Sequence, residues 1–420
     1  MTTMKNVQII ALISLLITLG CSSEYNVNNR FTSIDDTLII QTVRLKGIGI
    51  FPASAGQISF KDTNERYNYP VIFPKNIKRI KLAWKHVDIK PFEFKYYKKG
   101  EFPKKNILKY IEEKKIDTLN LPSLKNNSIA MMSGISGRDT IFIIDENNNK
   151  DFRDDSVRLY KKMKWKDTSN LIKCKYQVYN GKKFEDDSTW VNIGYFEHGE
   201  LFFFVSHHIN ASFSIDKQNY QIGLADKQSG FCFDEPFIAL TYSKGTLKDS
   251  LLKKDIINKG EYVKLRDTYF RFESISNDGK IIVLIKENDF NSKIGTQVGM
   301  KAPKFLCRTI DGEILESNKI TDKPIIIANI SGCTPKSYDF YKKLIEKHKD
   351  LYIIGVESGI QANLGGKMVD VENSFNKIFY NDYRKDYSNY DCYLIDMNGR
   401  ITEKFQIFDW ERIVLPKTKD

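Results

Sequence analysis

The chain has 420 residues, of which 41% are hydrophobic and 28% are charged. This length predicts two or three domains, and this composition is sufficient to bury a core, which excludes a generally disordered chain. The formal net charge of +12 would suit a nucleic-acid partner. The first residues of the chain argue against that partner, because they have the pattern of an export signal.

The N-terminal segment has the charged, apolar and small-residue order of a signal peptide. Lys5 precedes the apolar run Val7–Leu19, which is shorter than the roughly 18 residues typical of a spanning helix. The run ends in Thr18-Leu19-Gly20-Cys21, which resembles a bacterial lipobox except that Thr18 replaces the usual aliphatic residue. The resemblance implies cleavage before Cys21 and acylation of that cysteine. We therefore expect an envelope protein, held to the membrane by its lipid anchor and facing the periplasm or exterior; the alternative is a buried apolar N-terminal helix.

Export changes the interpretation of the basic residues and the cysteines. The lysine-rich, aromatic stretch Lys78–Lys105 could suit nucleic acid, but in an exported protein it indicates a solvated strand face, so no nucleic-acid partner is expected. Five cysteines follow Cys21, and their scatter excludes a disulfide-dense scaffold. Because their number is odd, we expect at least one thiol to be unpaired or reactive. The five cysteines are Cys174, Cys232, Cys307, Cys333 and Cys392.

Strand patterns dominate the first two thirds of the mature chain. Short alternating runs with Pro and Asn between them, such as Thr37–Leu45 and Leu201–Ser206, are typical of strands. Asn106–Lys115 is the one short helix predicted among them. After a signal peptide at 1–20, we divide this β-rich region at residue 125, into 21–125 and 126–287, and expect it to recognise a partner or ligand.

The pattern changes after a polar, turn-rich linker at 288–298. Pro324–Ile330 and Leu351–Val356 predict two buried strands, and Thr334–Lys349 predicts the helix between them. Two buried strands that flank one helix make a parallel βαβ unit. The residues from 299 to 420 are therefore predicted to form an α/β domain.

The rest of this domain is predicted to hold one more helix and a closing hairpin. Met368–Phe379 predicts the helix. Tyr393–Asp396 and Arg400–Phe405 lie on either side of the turn Met397-Asn398-Gly399 and predict antiparallel strands in the same sheet.

Several short pieces occur in an informative order from Val298 to about Val414. Val298–Phe305 is similar to a G-x-x-A-P-x-F opening, and a hairpin turn at Asp311-Gly312 follows it. Cys333 then stands at a predicted helix start, and Leu394–Ile401 is similar to F-L-I-D-x-x-G-x-I. Together these pieces resemble a thioredoxin-like domain of the thiol–disulfide oxidoreductase and peroxiredoxin group. The resemblance implies a redox fold in the last quarter of the chain, behind a large mainly-β region, with a cysteine nucleophile and no required cofactor.

Cys333 lies in NISGCTPKSYDF, where a strand is predicted to pass into a helix. A cysteine at a helix N-terminus faces unpaired N–H groups and the positive end of the helix dipole, which favour the reactive thiolate. Pro335 suits the first helical turn, and Lys336 adds positive charge beside the thiol. We predict that Cys333 is the nucleophile, assisted by Lys336, and that its partners are thiols or disulfides of exported proteins.

The oxidoreductase motif is incomplete. Lys336 stands where C-x-x-C has its second cysteine, so the motif has no resolving thiol. Cys392 or Cys307 could resolve a mixed disulfide instead, if the fold brings either of them near Cys333. The position of the family's cis-proline, counted back from the hairpin, holds Tyr390 or a neighbour.

The peroxiredoxin pattern P-x-x-x-T-x-x-C is incomplete as well. Ile326 and Ile330 stand at its proline and threonine positions, and Tyr338 stands where some members have a resolving cysteine. Three interpretations of Cys333 therefore remain. It is a monothiol redox site, a relic in a binding or scaffold domain, or the nucleophile of a thiol peroxidase.

A second candidate site is the stretch DENNNKDFRDDS, Asp145–Ser156. It resembles calcium loops of the D-x-[DN]-x-[DN]-G type, which supply alternating oxygen ligands. Lys150 replaces the turn glycine, and Ser156 replaces the bidentate glutamate. The two interpretations are a structural calcium site and an Asx-rich turn whose side chains cap their own backbone. The calcium ligands would be Asp145, Asn147, Asn149, Asp151 and Asp155.

Overall fold

The structure is a computed structural model, and the part of the chain it describes has several gaps. The described residues are 31–34, 36–63, 71–88, 97–100, 108, 112, 127–180, 183–196, 199–233, 235–243, 246–330, 335–358, 364–385 and 390–413. The predicted signal peptide, Cys21, most of the predicted helix Asn106–Lys115, and Cys333 lie outside them. No helix within the described ranges is long and apolar enough to cross a membrane.

Strands make up most of the described residues before residue 288. They are β1 (Phe31–Ile34), β2 (Thr37–Gln41), β3 (Val43–Lys46), β4 (Gly56–Gln57), β5 (Lys61–Asp62), β6 (Lys78–His86), β7 (Ser128–Ser136), β8 (Asp139–Ile144), β9 (Arg158–Leu159), β10 (Ile172–Tyr179), β11 (Phe184–Tyr195), β12 (Leu201–Val205), β13 (His207–Ile215), β14 (Gln218–Asp226), β15 (Pro236–Leu240), β16 (Tyr242–Ser243), β17 (Thr246–Leu247), β18 (Ile257–Asn258), β19 (Tyr262–Leu265), β20 (Thr268–Ile275) and β21 (Ile281–Glu287). A 3-10 helix at Lys253–Asp255 precedes β18.

Two of the sheets pack face to face into a first sandwich. Their strand orders are β5-β6-β7-β8-β9 and β10-β11-β12-β4. Ile129 and Phe142 from one sheet share a buried cluster with Val191 and Phe203 from the other. β6 pairs with β7, which lies beyond residue 125. The boundary predicted at residue 125 therefore does not separate two sheets.

Two further sheets pack into a second sandwich. Their strand orders are β1-β2-β21-β20-β19 and β18-β15-β14-β13-β3. The predicted strand Thr37–Leu45 is in fact two strands that belong to different sheets of this sandwich. The break falls at Thr42, whose N–H donates to the carbonyl of Lys280 at 3.0 Å. The second sandwich thus combines the first described strands with strands that lie more than 160 residues later, whereas the first sandwich is built from the residues between them.

The predicted linker 288–298 packs against the second sandwich. It contains a 3-10 helix at Phe290–Ser292, in which Phe290 is buried. The Phe290 ring stacks on Tyr269 of β20 with 3.6 Å between the ring centroids. The segment is therefore an ordered connection rather than a solvated spacer.

Residues after 299 form a mixed sheet with flanking helices. Their elements are β22 (Leu306–Arg308), β23 (Ile314–Glu316), β24 (Ile325–Asn329), α1 (Pro335–Lys347), β25 (Tyr352–Glu357), β26 (Lys367–Asp370), α2 (Lys377–Phe379), β27 (Asp391–Ile395) and β28 (Ile401–Gln406), with 3-10 helices at Ser317–Lys319, Ser374–Asn376 and Ile407–Arg412 and a π-helical turn at Tyr380–Arg384. The sheet order is β26-β25-β24-β27-β28. β24 and β25 are parallel around α1, and β27 and β28 form an antiparallel hairpin beside β24. The predicted βαβ unit and closing hairpin are confirmed.

The two faces of this sheet hold separate cores. Ile326 of β24 packs with Tyr341 and Leu344 of α1 on one face. Ile327, its neighbour, packs on the other face with residues of the β22–β23 hairpin and of α2. This alternation is what a strand covered on both sides requires, and it explains why β24 is a continuous apolar run.

The predicted helix Met368–Phe379 is wrong over its first residues. Met368 and Val369 lie in β26 and pair in parallel with Gly355 and Val356 of β25. Both side chains are fully buried in the sheet. This burial of apolar surface stabilises the strand more than a short helix would be stabilised at the same residues. Helical structure begins only at Ser374, after a turn.

Candidate functional site

The candidate site is the junction between β24 and α1. β24 ends at Asn329, and α1 begins at Pro335, the first-turn position predicted for this proline. Lys336 lies in the same turn and is exposed. Cys333 belongs to the connection between these two elements. A connection from the carboxyl end of a parallel strand into a helix is where α/β proteins place reactive and ligand-binding groups.

Asn329 fixes the carboxyl end of β24. Its side chain is fully buried, and Nδ2 donates to the carbonyl of Tyr383 at 2.9 Å and to that of Asp391 at 2.5 Å. One amide thus holds together the end of β24, the π-helical turn and the start of β27. Sequence reasoning missed this residue, although a lone asparagine in the apolar run PIIIANI was a signal for a buried polar anchor.

Arg384 brings a buried positive charge to the same junction. Its side chain is 2% exposed, and Nη1 donates to the carbonyl of Ile330 at 3.1 Å. The guanidinium carbon lies 4.4 Å from the ring centroid of Tyr390, the residue at the predicted cis-proline position. Arg384 bonds to Ile330, which precedes Cys333 by three residues. Three residues of extended chain span at most about 11 Å. No feature of the sequence around Arg384 singled it out.

Cys392 lies beside the end of β24. Its thiol is fully buried, and Sγ lies 3.7 Å from the carbonyl oxygen of Asn329. Burial raises the pKa of this thiol well above its usual range, while the contact with Asn329 and the charge of Arg384 partly offset that effect. Cys392 therefore lies close in space to the end of β24, and burial favours its neutral thiol over the thiolate.

Cys307 lies on the opposite face of the sheet. It is part of β22 and packs with Ile327 and Tyr383, whereas Cys392 packs on the face covered by α1. Burial raises the pKa of the Cys307 thiol to about 12. The structure therefore separates the two predicted resolving cysteines by the sheet itself, and Cys392 is the one near the β24 terminus. Like these two, Cys174 is a buried free thiol.

The positions that a peroxiredoxin uses for proline and threonine are part of the core. Ile326 and Ile330 are fully buried in the cluster beneath α1, and neither has a side-chain polar group. Tyr338 packs against the same cluster. No hydroxyl from these positions can orient a peroxide.

In the stretch Asp145–Ser156, side-chain oxygens accept hydrogen bonds from nearby backbone. Asp145 is fully buried and accepts from the N–H groups of Asn149 and Lys150, each at 3.0 Å. Lys150 has φ of +68°, the left-handed conformation that glycine provides in a calcium loop. Its ammonium lies 3.6 Å from Asp145 and donates to the carbonyl of Ser128. A lysine cation therefore lies beside the carboxylate that would be the first calcium ligand.

The other predicted calcium ligands are also engaged locally. Asp151 forms a bidentate ion pair with Arg153. Asn147 accepts from the N–H of Asn149, which in turn accepts from that of Asp151. Asp155 accepts from the backbone N–H next to Asp145, and partial burial raises its pKa to about 7. These contacts are those of an Asx-rich turn.

The side chains that commonly bind metal ions are dispersed in the part of the chain that the structure describes. Within the described ranges, no group of three or more His, Cys, Asp or Glu side chains is arranged to hold a metal ion. Calcium binding by the Asp145 stretch stays a prediction. The backbone N–H groups that bond to its asparagine and aspartate oxygens would compete with the ion for them.

Comparisons with known proteins find similarity over part of the chain. The thioredoxin domain of a thiol-disulfide oxidoreductase from Bacteroides vulgatus is 19% identical over 26% of this chain and 86% of that one, with a TM-score of 0.22. The exposed lipoprotein thioredoxin of Streptococcus pneumoniae is 13% identical over 25% and 89%, with a TM-score of 0.21. A reduced 2-Cys peroxiredoxin from Plasmodium vivax is 17% identical over 26% and 84%, with a TM-score of 0.22.

No protein-family model and no curated protein matches the chain. The structural likenesses concern about a quarter of the chain and its fold only.

Proposed function

We propose that this protein is a lipid-anchored envelope protein whose C-terminal domain, 299–420, exchanges thiols and disulfides through Cys333. The observation that supports the proposal is the β24–α1 junction. There a connection that contains one cysteine leads into a helix whose first residue is Pro335. The dipole of α1 and the charges of Lys336 and Arg384 all favour an anion at this end of the helix.

The proposed reaction begins with the thiolate of Cys333 and a disulfide of an exported protein. The thiolate sulfur attacks one sulfur of that disulfide, a new S–S bond forms, and the other sulfur leaves as a thiolate. A second thiol must then attack the mixed disulfide to release the reduced partner. If that thiol is Cys392, Cys333 and Cys392 are oxidised to a disulfide as the partner disulfide is reduced, and an external thiol restores them.

The fold favours Cys392 over Cys307 as the resolving thiol. Cys392 contacts Asn329, four residues before Cys333, while Cys307 lies across the sheet. Because Cys392 is fully buried, its attack requires local opening of the β24–β27 pair. Resolution within the chain should therefore be slow, and a small external thiol should compete with it.

The alternative proposal is a redox-inactive thioredoxin-fold domain that serves binding or scaffolding. Its support is the state of the remaining thiols. Cys307 and Cys392 are both buried, and burial raises the pKa of each. A domain without an accessible second thiol could keep the fold and lose the reaction. The reactivity of Cys333 separates the two proposals.

The test is the pH dependence of iodoacetamide alkylation, mapped by peptide mass in a mature chain with Cys21→Ser. If Cys333 is the nucleophile, it should react with an apparent pKa below about 7, ahead of Cys307 and Cys392. An ordinary cysteine has a pKa of about 8.5, so its alkylation rate should already fall tenfold per pH unit below that value. Lys336→Gln should raise the apparent pKa, and Lys342→Gln, an exposed lysine further along α1, serves as the matched control.

The two proposals predict different results. Slow alkylation of Cys333 up to about pH 9 would support the binding domain and end the redox proposal. Fast alkylation should be accompanied by disulfide reductase activity that Cys333→Ser abolishes. If the same thiolate consumes hydrogen peroxide and does not reduce disulfides, the thiol peroxidase replaces the oxidoreductase.

A further inference from the structure

A cavity of about 430 Å³ lies at an open edge of the first sandwich, far in sequence from Cys333. One wall is the segment from Val157 to Lys164, and the other is formed by the starts of β10 and the end of β11. The volume is in the range of sites for small organic molecules, roughly 300–1,000 Å³. No proposed role of the C-terminal domain uses this cavity.

The walls of the cavity include apolar side chains. Val157 and Leu159 are 56% and 52% exposed and present aliphatic surface to this space. Ile172 and Ile193, which belong to the core of the sandwich, line the same space. A ligand that enters the cavity can therefore bury an apolar body against these residues.

One rim of the cavity is positively charged. Lys161, Lys162 and Lys164 are exposed and line it together. Arg158 also lines it, but its guanidinium pairs with Glu146 at 2.7 Å. The rim lysines therefore give this side of the cavity a concentration of positive charge.

One carboxylate, that of Asp167, also lines the cavity and offsets part of the charge of the three rim lysines. Asp167 accepts hydrogen bonds from the N–H and hydroxyl of Ser169, at 2.8 and 2.6 Å. These bonds lower the pKa of Asp167 and engage its carboxylate in its own turn. An anionic ligand would meet three lysines against one engaged carboxylate.

The basic rim is held in place by the backbone of β11. The N–H of Tyr195 donates to the carbonyl of Lys161 at 3.0 Å, and the N–H of Met163 donates to the carbonyl of Tyr195 at 2.8 Å. The buried Asn192 amide donates to the carbonyl of Lys164 at 3.1 Å. Three hydrogen bonds thus fix the backbone of the rim, so that only the lysine side chains have to be ordered when a ligand binds, which favours affinity.

Gly194 of β11 makes this close approach feasible. A Cβ at residue 194 would lie 2.7 Å from the carbonyl oxygen of Lys161 and 3.1 Å from the Cα of Met163. Any side chain there would push the lysine segment away from the strand. Gly194 and Asn192 thus both hold the lysine segment against β11.

We propose that this cavity binds a small organic anion that carries an apolar body, such as an aryl or alkyl sulfonate or carboxylate. The lysine rim would bind the acidic group, and the aliphatic walls would bind the body. Two features carry the proposal together: the preformed cationic rim and the exposed aliphatic residues in one cavity of suitable size. It is independent of the chemistry at Cys333.

The test uses a matched pair of probes with the mature Cys21→Ser chain. 8-Anilinonaphthalene-1-sulfonate carries the sulfonate, and N-phenyl-1-naphthylamine has the same rings without it. Isothermal titration should give one sulfonate per chain, with affinity about tenfold above that of the neutral probe. The double variant Lys162→Glu/Lys164→Glu should reduce the sulfonate affinity by about tenfold or more and leave the neutral probe nearly unchanged.

The matched control is Lys259→Glu/Lys342→Glu, which makes the same change in net charge at two exposed lysines outside the cavity. Its sulfonate affinity should equal that of the parent chain. Equal affinity for the two probes, several sulfonates per chain, or the same loss in both double variants would each overturn the proposal. It would also fail if the rim lysines governed cosedimentation with phosphatidylglycerol vesicles while the free sulfonate did not bind, since the face would then be a membrane contact.

Discussion

Asn329 fixes the end of β24, which leads into the connection that contains Cys333, through two hydrogen bonds of one buried amide. Its two donated bonds tie the last residue of β24 to the carbonyls of Tyr383 and Asp391. Both acceptors belong to buried residues, so neither carbonyl has easy access to water if the amide is removed. The position of the chain that continues to Cys333 depends on this anchor.

We expect Asn329→Ala to lower the free energy of unfolding by about 2–4 kcal/mol, because two buried carbonyls would lose their donor. Urea unfolding followed by circular dichroism would measure the change. The variant should also speed alkylation of Cys392, since the closed contact at the end of β24 would open more often.

Asn398→Ala is the control for this change. Asn398 is exposed in the β27–β28 turn, and its replacement should alter stability by less than about 0.5 kcal/mol. Equal stability of the two variants would show that the amide of Asn329 is not an anchor.

Single residues also mark the limit of prediction from the sequence. The first-turn proline of the junction could be predicted, because a strand–helix transition has a local signature. Arg384 could not, because it contacts Ile330 across a sequence separation of 54 residues. A buried arginine has the same sequence appearance as a solvated one, and only the fold shows that this one lies beside the end of β24.

At the scale of elements, α1 rests directly on β25. Gly355 of β25 faces the buried ring of Tyr341 in α1 and the sulfur of Met368 in β26. A Cβ on Gly355 would lie 2.4 Å from the Tyr341 hydroxyl and 2.5 Å from the Met368 sulfur. The helix can approach the sheet this closely only because residue 355 has no side chain.

We expect Gly355→Ala to destabilise the protein by about 1–3 kcal/mol, the usual effect of overpacking a core. Because the methyl group would displace α1, the apparent pKa of Cys333 in the alkylation experiment should rise as well. Thermal unfolding and the pH profile of alkylation would measure the two effects.

Gly56→Ala provides the comparison, since a Cβ there would have its nearest neighbour 4.0 Å away, at the Lys85 ammonium. This variant should be as stable as the parent chain or slightly more stable. A Gly355→Ala protein with unchanged stability would mean that α1 has room to move away from β25.

The elements predicted from the sequence were most accurate where a strand or helix is stabilised by its own pattern. β24, β25 and α1 lie within a few residues of their predicted ranges, because each has a strong apolar periodicity. Met368–Asp370 was predicted as helix, and its true state depends on a free edge of β25 more than ten residues away. Such tertiary pairing overrides local preference.

For the whole molecule, ion pairs join the second sandwich to the C-terminal sheet. Lys254 of the 3-10 helix before β18 donates to both oxygens of Glu403 in β28, at 3.0 and 2.9 Å. Its neighbour Lys253 lies 3.0 Å from Asp391, the first residue of β27. The region of unknown role therefore contacts the hairpin that borders the candidate site.

The centre of this network is Lys404 of β28. Its ammonium is 8% exposed and lies 3.4 Å from Asp391 and 3.6 Å from Glu261, which precedes β19. Burial disfavours the charged forms of both Lys404 and Asp391. The carboxylates outweigh that effect and hold the pKa of Lys404 above its usual value, while Lys404 and Lys253 hold the pKa of Asp391 below its usual value of 3.8.

The sequence could not have predicted this contact or the sandwiches that it joins. β2 pairs with β21 and β3 pairs with β13, and the first sandwich is formed by the chain between β3 and β13. Alternating patterns identify strands, but many pairings of similar strands bury similar areas. Composition did indicate a mainly-β region, and it carried no information on which strands share a sheet.

The ion pairs predict how the two regions are coupled. We expect Lys404→Met to lower the free energy of unfolding by about 2–4 kcal/mol at pH 7, because it removes the buried cation that Asp391 and Glu261 share and leaves Asp391 with Lys253 alone. Calorimetry should then show the C-terminal domain unfolding ahead of the sandwiches. Lys286→Met removes an exposed pair with Asp36 and should cost less than about 1 kcal/mol.

Because Asp391 has a lowered pKa, its ion pair stabilises the fold above about pH 4 and is lost as the pH falls further. The difference in stability between the parent chain and Lys404→Met should therefore shrink in acid. A difference that is small at pH 7, or constant down to pH 3, would mean that the two regions are held together by something other than these charges.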